Sequence, residues 1–510
     1  MKAQTLKDYL AVHTWVGILC GLVLFIAFYA GAFSMLEADI TRWTQPPAPA
    51  SSTVSDDGDA LVAAFFAAHP DVKGRVRLRW AGPDNAQPAL APLERGQDPV
   101  WWQLGRDGRL VRMDSMPRDD DTTGNFVDYL HRKGGLPIPL AVAEPLIGVV
   151  SLVYGLALVS GIVVLLPSLV KDLFHLRLGA NLKRMWLDVH NLLGVASLPF
   201  HLVIALSAAV FGLHDLVYLA QDKFIYQDGL RATVARASVP RPHAARADWL
   251  PPSEIKRRVQ AQAPHFQPLG LDYVLQPAGA VAAVGGSDER HFQRASRYGL
   301  AFVNLGTGEI YDRTYLPGAS GLASSTLLSS LFALHFGSFG GDAVRILYVL
   351  LGLSGALLFY TGNLLWIETR TKRARQPQGA PMERPRHVRV VSALTVGVCL
   401  GCAAALPATL ALAHWLAPRV GDLNALHQGV YYTLFAACIA WALWRGTARA
   451  APGLLWFTAL CNALVPLTVL LQPSPDGALP GALCALLALF FAWLAVRSAR
   501  RASKWIAARA

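Results

Sequence analysis

The stretch Met185–Gly212, MWLDVHNLLGVASLPFHLVIALSAAVFG, decides the class of fold, because it is apolar over the length of a membrane span and still carries two histidines. On one α-helix, His190 and His201 fall roughly 20° apart in azimuth, with a rise of about 16.5 Å between them. Gly194 and Ser197 keep the same stripe clear of bulk, as a flat macrocycle packed on a helix needs, and Pro199 is a candidate kink. A polar ring in hydrocarbon costs free energy unless something binds it, so a histidine within a span points to function. The structural alternative is a hydrogen bond to a neighbouring helix.

Working outward, the chain has 510 residues, 53% hydrophobic and 16% charged, too much apolar surface for a soluble globule. Further apolar runs lie at Val12–Leu36, Leu140–Leu166, Ile346–Ile367, Val391–Leu416, Gly429–Trp444, Pro452–Leu471 and Leu479–Val496. The expected fold is therefore an α-helical polytopic membrane protein of about eight spans, with both termini on one side. With a cytoplasmic N-terminus, the inner segments hold 20 Lys and Arg against four acidic residues, and the short opposite loops hold one basic residue, Arg419. The net charge of +12 thus reads as topology and not as nucleic-acid binding. Ala30-Gly31-Ala32 resembles a signal-peptide cleavage site, but the first run is too long for one and carries His13, so an uncleaved helix is expected.

Two stretches on the outer side read in the same order. In the first, a helix at Asp59–His69 precedes strands at Arg75–Trp80 and Ala89–Leu93 and the hairpin VWWQLGRDGRLVRM, with Asp107-Gly108 as its turn. The second has a helix capped by Ser253, then GLDYVLQ, AVAAV and the hairpin GLAFVNLGTGEIYD. Each predicts a small α+β module with one helix on a short antiparallel sheet. The expected domains are a first span (1–36), module one (37–139), spans two and three (140–212) and module two (213–325). There follow a Leu-His turn with span four (326–370), a basic linker (371–390) and a four-span extension (391–510). Arg118–Asp121 reads as a solvated acidic loop.

The spans repeat as well. Val12-His13-Thr14-Trp15-Val16-Gly17 and Val189-His190-Asn191-Leu192-Leu193-Gly194 both read VHxxxG, placing Gly17 and Gly194 one turn from their histidines. Tyr129-Leu130-His131 before the second span and Ala333-Leu334-His335 before the fourth both run into Gly-rich turns. Matched histidines at two depths point to cofactor ligation. Imidazole pairs without nearby thiolate or carboxylate suit low-spin haem, whereas zinc needs three or four clustered ligands. Cys399 and Cys402 read as small packing residues, and with the six cysteines confined to the spans neither module can hold a disulfide.

The motifs LAVHTWVG, YLHRKGG, WLDVHNLLGVASLPFHLVIALS, LHFGSFGG and LYVLLGLSGALLFYTGNLLW together resemble the PepSY-associated transmembrane family, also called iron-regulated membrane proteins, and especially its ferric-siderophore reductase branch. The resemblance covers about residues 1–370. It implies two b-type haems between four core helices, PepSY-type periplasmic modules, a place in the bacterial inner membrane and reduction of ferric siderophores on the periplasmic face. Carried over, His13 and His190 would share the inner haem. For the outer haem, repeat symmetry pairs His335 with His131, and the shared face of the third span pairs it with His201; Leu24 stands where the third span has His201. His175, His414 and His427 are expected at interfaces, no catalytic residue is assigned, and the role of the extension is open.

No GxGxxG opens a helix after a strand, and the inner loops are too short for a flavin or nicotinamide domain, so electrons must come from quinol or a separate cytoplasmic reductase. The basic inner face, Lys171–Arg184 and Arg370–Arg389, could dock an acidic donor, and topology explains those charges equally well. Two other classes of function compete: a permease for the siderophore or its iron, and a PepSY-type sensor or protease regulator in which the histidines are structural.

Overall fold

The computed structural model divides into two compact units, one formed by Met1–Gln45, Asp119–Leu216 and Ile346–Ala510, the other by Pro46–Arg118 and Val217–Arg345. It describes all residues except 1–2, 47–49, 83, 95–98, 114–120, 169–181, 228, 230–243, 277–278, 289, 292–298, 319–322, 374–384 and 508–510. His175, most of the acidic run Arg118–Asp121 and much of the basic inner face lie outside the described residues.

In chain order the helices are α1 (Ala3–Ser34), α2 (Glu37–Thr44), α3 (Gly58–Ala68), α4 (Thr123–Arg132), α5 (Leu140–Leu165), α6 (Leu182–Ala196), α7 (Leu198–Phe224), α8 (Pro252–Gln262), α9 (Ala323–Phe336), α10 (Gly341–Arg373), α11 (Arg386–Leu416), α12 (Leu423–Arg445), α13 (Thr447–Leu471) and α14 (Ala478–Ala507). Among the described residues, seven helical segments are long and apolar enough to cross a membrane: Gln4–Ser34, Leu140–Leu165, Leu198–Phe224, Gly341–Thr371, Arg386–Arg419, Thr447–Leu471 and Pro475–Arg500. The fold therefore fits a multi-pass membrane protein with seven such segments where about eight were expected. The missing one is the run Gly429–Trp444, which lies in α12. Asn424, His427 and Gln428 fill one end of that helix and Arg445 the other, so its apolar stretch is short.

The expected third span also differs, because Met185–Gly212 is split at Ser197 into α6 and α7. Pro199 has no N–H to donate to Val195, and the Ser197 hydroxyl donates to the Leu193 carbonyl at 2.6 Å, while His201 N resumes the ladder onto the Ser197 carbonyl at 3.0 Å. His190 and His201 thus sit on either side of a kink.

In the extension, α11 packs against α12 and α13 on one side and against α1 and α2 on the other. Its most apolar window is 83% buried by protein, so it is a core helix and not a lipid-facing one. Glycines allow this: a Cβ on Gly397 would lie 2.8 Å from the Ile439 backbone, and one on Gly401 3.1 Å from Cys438. Cys399 and Cys402 are buried in this packing as expected, and all six cysteines are free. At one end of the bundle, His414 stacks on Trp43 (4.8 Å), donates from Nδ1 to the Trp43 carbonyl (2.9 Å) and meets the Gln472 amide through Nε2 (2.9 Å). His427 stacks on Phe126 and bonds Thr123 at 3.1 Å, and Arg42 pairs with Asp476 at 2.7 Å.

The other unit holds a single antiparallel sheet in the order β4-β3-β2-β1-β5-β6-β7-β8. Its strands are β1 (Gly74–Arg79), β2 (Ala89–Leu93), β3 (Trp102–Leu104), β4 (Leu110–Arg112), β5 (Gln267–Gln276), β6 (Gly279–Ser287), β7 (Gly299–Val303) and β8 (Ile310–Asp312). The two expected sheets are therefore halves of one, joined where β1 runs beside β5 from Gly74↔Leu275 to Arg79↔Gly270. Pairing the two inner strands removes two open edges. Val76 faces Tyr273 and Leu78 faces Leu271 on the buried side, and Arg77 makes a forked contact to Asp272 (2.7 and 3.0 Å) on the other. Helices α3 and α8 contribute Leu61, Phe65, Ile255 and Val259 to the core under this sheet. Its first segment, Pro46–Arg118, is shorter than the expected 37–139 because α2 and α4 belong to the helical unit, and its second, Val217–Arg345, runs past the expected 213–325 to include α9. Ser253 does not cap α8: its hydroxyl donates to Asp59, and the N-cap position is Pro251.

Candidate functional site

His13 and His190, one turn before Gly17 and Gly194, come together with their ring centres 6.1 Å apart at an interplanar angle of 75°. Each ring is held in the same way. His13 Nδ1 donates to the Ala157 carbonyl of α5 at 2.9 Å, and His190 Nδ1 donates to the Leu358 carbonyl of α10 at 3.2 Å, with the Thr361 hydroxyl also at 3.2 Å. Four residues further on, Gly161 and Gly362 leave room for the rings, where an added Cβ would stand 3.0 Å from His13 Cε1 and 3.4 Å from His190 Cε1. Between them, the Ser160 and Thr361 hydroxyls donate to those same carbonyls. The segments Ala157-Leu158-Val159-Ser160-Gly161 and Leu358-Phe359-Tyr360-Thr361-Gly362 are thus repeat equivalents. The sequence signal for these positions is a hydroxyl residue followed by glycine, Ser160-Gly161 and Thr361-Gly362, in the middle of an apolar run.

Seven residues before those glycines, roughly 10 Å along a helix, lies a second level. His201 is fully buried there. Its Nδ1 bonds the Tyr154 hydroxyl of α5 at 2.7 Å, and its Nε2 has no hydrogen-bond partner. Phe28, Phe200 and Tyr154 wall the ring, and a Cβ on Gly355 of α10 would lie 3.0 Å from His201 Cε1. His131 of α4 lies over Gly31 of α1 and bonds the Ala27 carbonyl through Nδ1 at 2.7 Å. His335 belongs to the other unit, half-buried at the end of α9 with its ring 5.5 Å from that of Phe336. Of the expected packing residues, Gly17 opens onto free space, Gly194 faces Leu358 at 3.6 Å, and Ser197 serves the kink.

A neutral imidazole that donates from Nδ1 turns its Nε2 lone pair toward whatever it ligates, and such outer hydrogen bonds fix the ring of a metal-bound histidine. The His13 and His190 rings, 6.1 Å apart between centres, lie close enough that both would reach one bound metal ion. Among the described residues no group of three or more His, Cys, Asp or Glu side chains could hold a bare metal ion.

The model of the PepSY-associated TM region matches residues 10–369, about seven-tenths of the chain and all of these histidines. The chain belongs to that family. An uncharacterised protein of Pseudomonas aeruginosa is 28% identical over 360 residues, covering 64% of this chain and 85% of its own length. The match to the PepSY-associated TM region stops near the end of α10, so α11 to α14 lie beyond it.

Proposed function

We propose that the protein is a di-haem b-type electron conduit of the bacterial inner membrane that reduces ferric siderophores on the periplasmic side, both termini being cytoplasmic and the sheet unit being its PepSY-like outer part. The observation that carries this reading is the symmetric His13–His190 pair, each Nδ1 held by a backbone carbonyl of the next helix in its own repeat. Bound haem supplies a one-electron carrier whose potential follows its axial ligands and its burial. His13 and His190 would hold the inner group, and the carbonyls of Ala157 and Leu358 fix their tautomers. His201, with its unpartnered Nε2, would hold the outer one. Phe28, Phe200 and Tyr154 exclude water from His201, and Tyr154 orients its ring. Two levels about 10 Å apart along α5 and α10 give a ladder across the bilayer. Lowering the charge on a chelated iron weakens the grip of hard oxygen ligands, so reduction outside releases the metal.

The test uses oriented vesicles with an inner reductant and a ferric siderophore outside. The expected outcome is external reduction that His190→Ala abolishes. Equal rates for the parent and the His190 variant would contradict the proposal.

A further inference from the structure

The electron donor of the proposed conduit is unassigned, and α10 carries an unexplained feature one turn beyond the His190 level. Asn363 Nδ2 and Trp366 Nε1 are both buried donors without a hydrogen-bond partner, on residues 2% and 9% exposed. At i and i+3 they share one face of the helix. That face meets Gly21 of α1, where a Cβ would come within 2.9 Å of Asn363 Oδ1, and a cluster in which Trp366 and Ile367 pack with Ile18 of α1 and Val388 of α11. The last of these comes from the extension, beyond the part of the chain that matches the family.

Leaving a buried N–H unsatisfied costs free energy, and two within one turn call for an acceptor from outside the chain. Its chemistry follows from the walls. It must offer lone pairs without needing acceptors in return, be apolar around them, lie against an indole, and arrive through lipid, since Leu19 beside Ile18 is 74% exposed and Val390 of α11 is 40% exposed. We propose that α1, α10 and α11 form a binding site for the head group of a membrane quinone, with Asn363 Nδ2 and Trp366 Nε1 donating to its carbonyl oxygen. Ile18 and Val388 supply the apolar walls. Arg370, its guanidinium 3.9 Å above the Trp366 ring, fixes the indole from the solvent side. The assignment rests on the Proposed function only for the use made of the bound quinone; the binding itself stands apart from it.

The experiment is titration of the purified full-length protein in nanodiscs with decylubiquinone, followed by calorimetry, together with photolabelling by an azidoquinone mapped by mass spectrometry. Saturable binding and labelling of the segments around Ile18, Asn363 and Val388 are expected. Asn363→Leu and Trp366→Phe should each weaken binding about tenfold, while Trp415→Phe, whose indole bonds Thr468 elsewhere, should leave it unchanged. Pyridine haemochrome measured on the same samples separates the two readings: quinone binding without haem would sink the conduit and keep this site, and haem without saturable binding would do the reverse. Absence of saturation, unchanged affinity in both variants, or a co-purifying phospholipid at these residues that decylubiquinone does not displace would overturn the proposal.

Discussion

The two repeats of the helical core are alike at one level and unlike at the other. At the first level, His13 on Ala157 and Gly161 is matched by His190 on Leu358 and Gly362. At the second, His201 has Leu24 as its counterpart, and Tyr154, which bonds His201, has Gly355, which makes room for it. Their surroundings differ too. The most apolar window of α1 is 61% buried and that of α7 only 11%, because α4 and α5 pack along α1 and α11 of the extension adds to that cover. The His13–His190 level is thus symmetric between the repeats and the His201 level is not.

The sharpest way to break this comparison is to remove one inner histidine at a time. His13→Ala and His190→Ala should each lower haem content from about two per chain to about one, measured by pyridine haemochrome, and to the same extent. Unequal losses would end the claim of equivalence. Truncation after Arg375 should leave haem content at the parent value while lowering the thermal midpoint, since it strips the cover from α1 but touches no proposed ligand. Loss of a haem would show that the extension does more than shield. Smaller effects are expected at its outer seams. His414→Ala removes a stack on Trp43 and a hydrogen bond to its carbonyl, and His427→Ala removes the equivalent contacts to Phe126 and Thr123. Each should cost about 1–2 kcal/mol, read in thermal unfolding with the haem spectrum unchanged.

The smallest effect lies in the sheet unit, where hydrogen bonds from Arg257 and Arg258 pull the half-buried Glu254 carboxyl down from 4.5 to about 2. A lowered folded value stabilises above the unfolded one and is lost as pH falls, so protection of α8 amides against hydrogen exchange should weaken between pH 4.5 and 2. Glu254→Gln should flatten that dependence.

Much of this was legible in the chain. VHxxxG marked His13 and His190, which the fold brings together, and the strand and turn signals located β1 to β8 closely, with Gly108 at a φ of +79° where Asp107-Gly108 predicts a turn. What stayed hidden depends on tertiary pairing. The joining of β1 to β5 follows from two edge strands meeting, which local alternation does not encode. The break at Ser197 was foreseen only as a kink at Pro199. Tyr154 carried no mark of its role, because a tyrosine in an apolar run reads as packing until a buried histidine is found beside it.

The most direct test of the account is the absorption spectrum of the purified protein with its pyridine haemochrome. About two low-spin b-type haems per chain, one of them lost in His190→Ala, is the predicted result. A protein that folds as described, carries no haem and takes none up would contradict it.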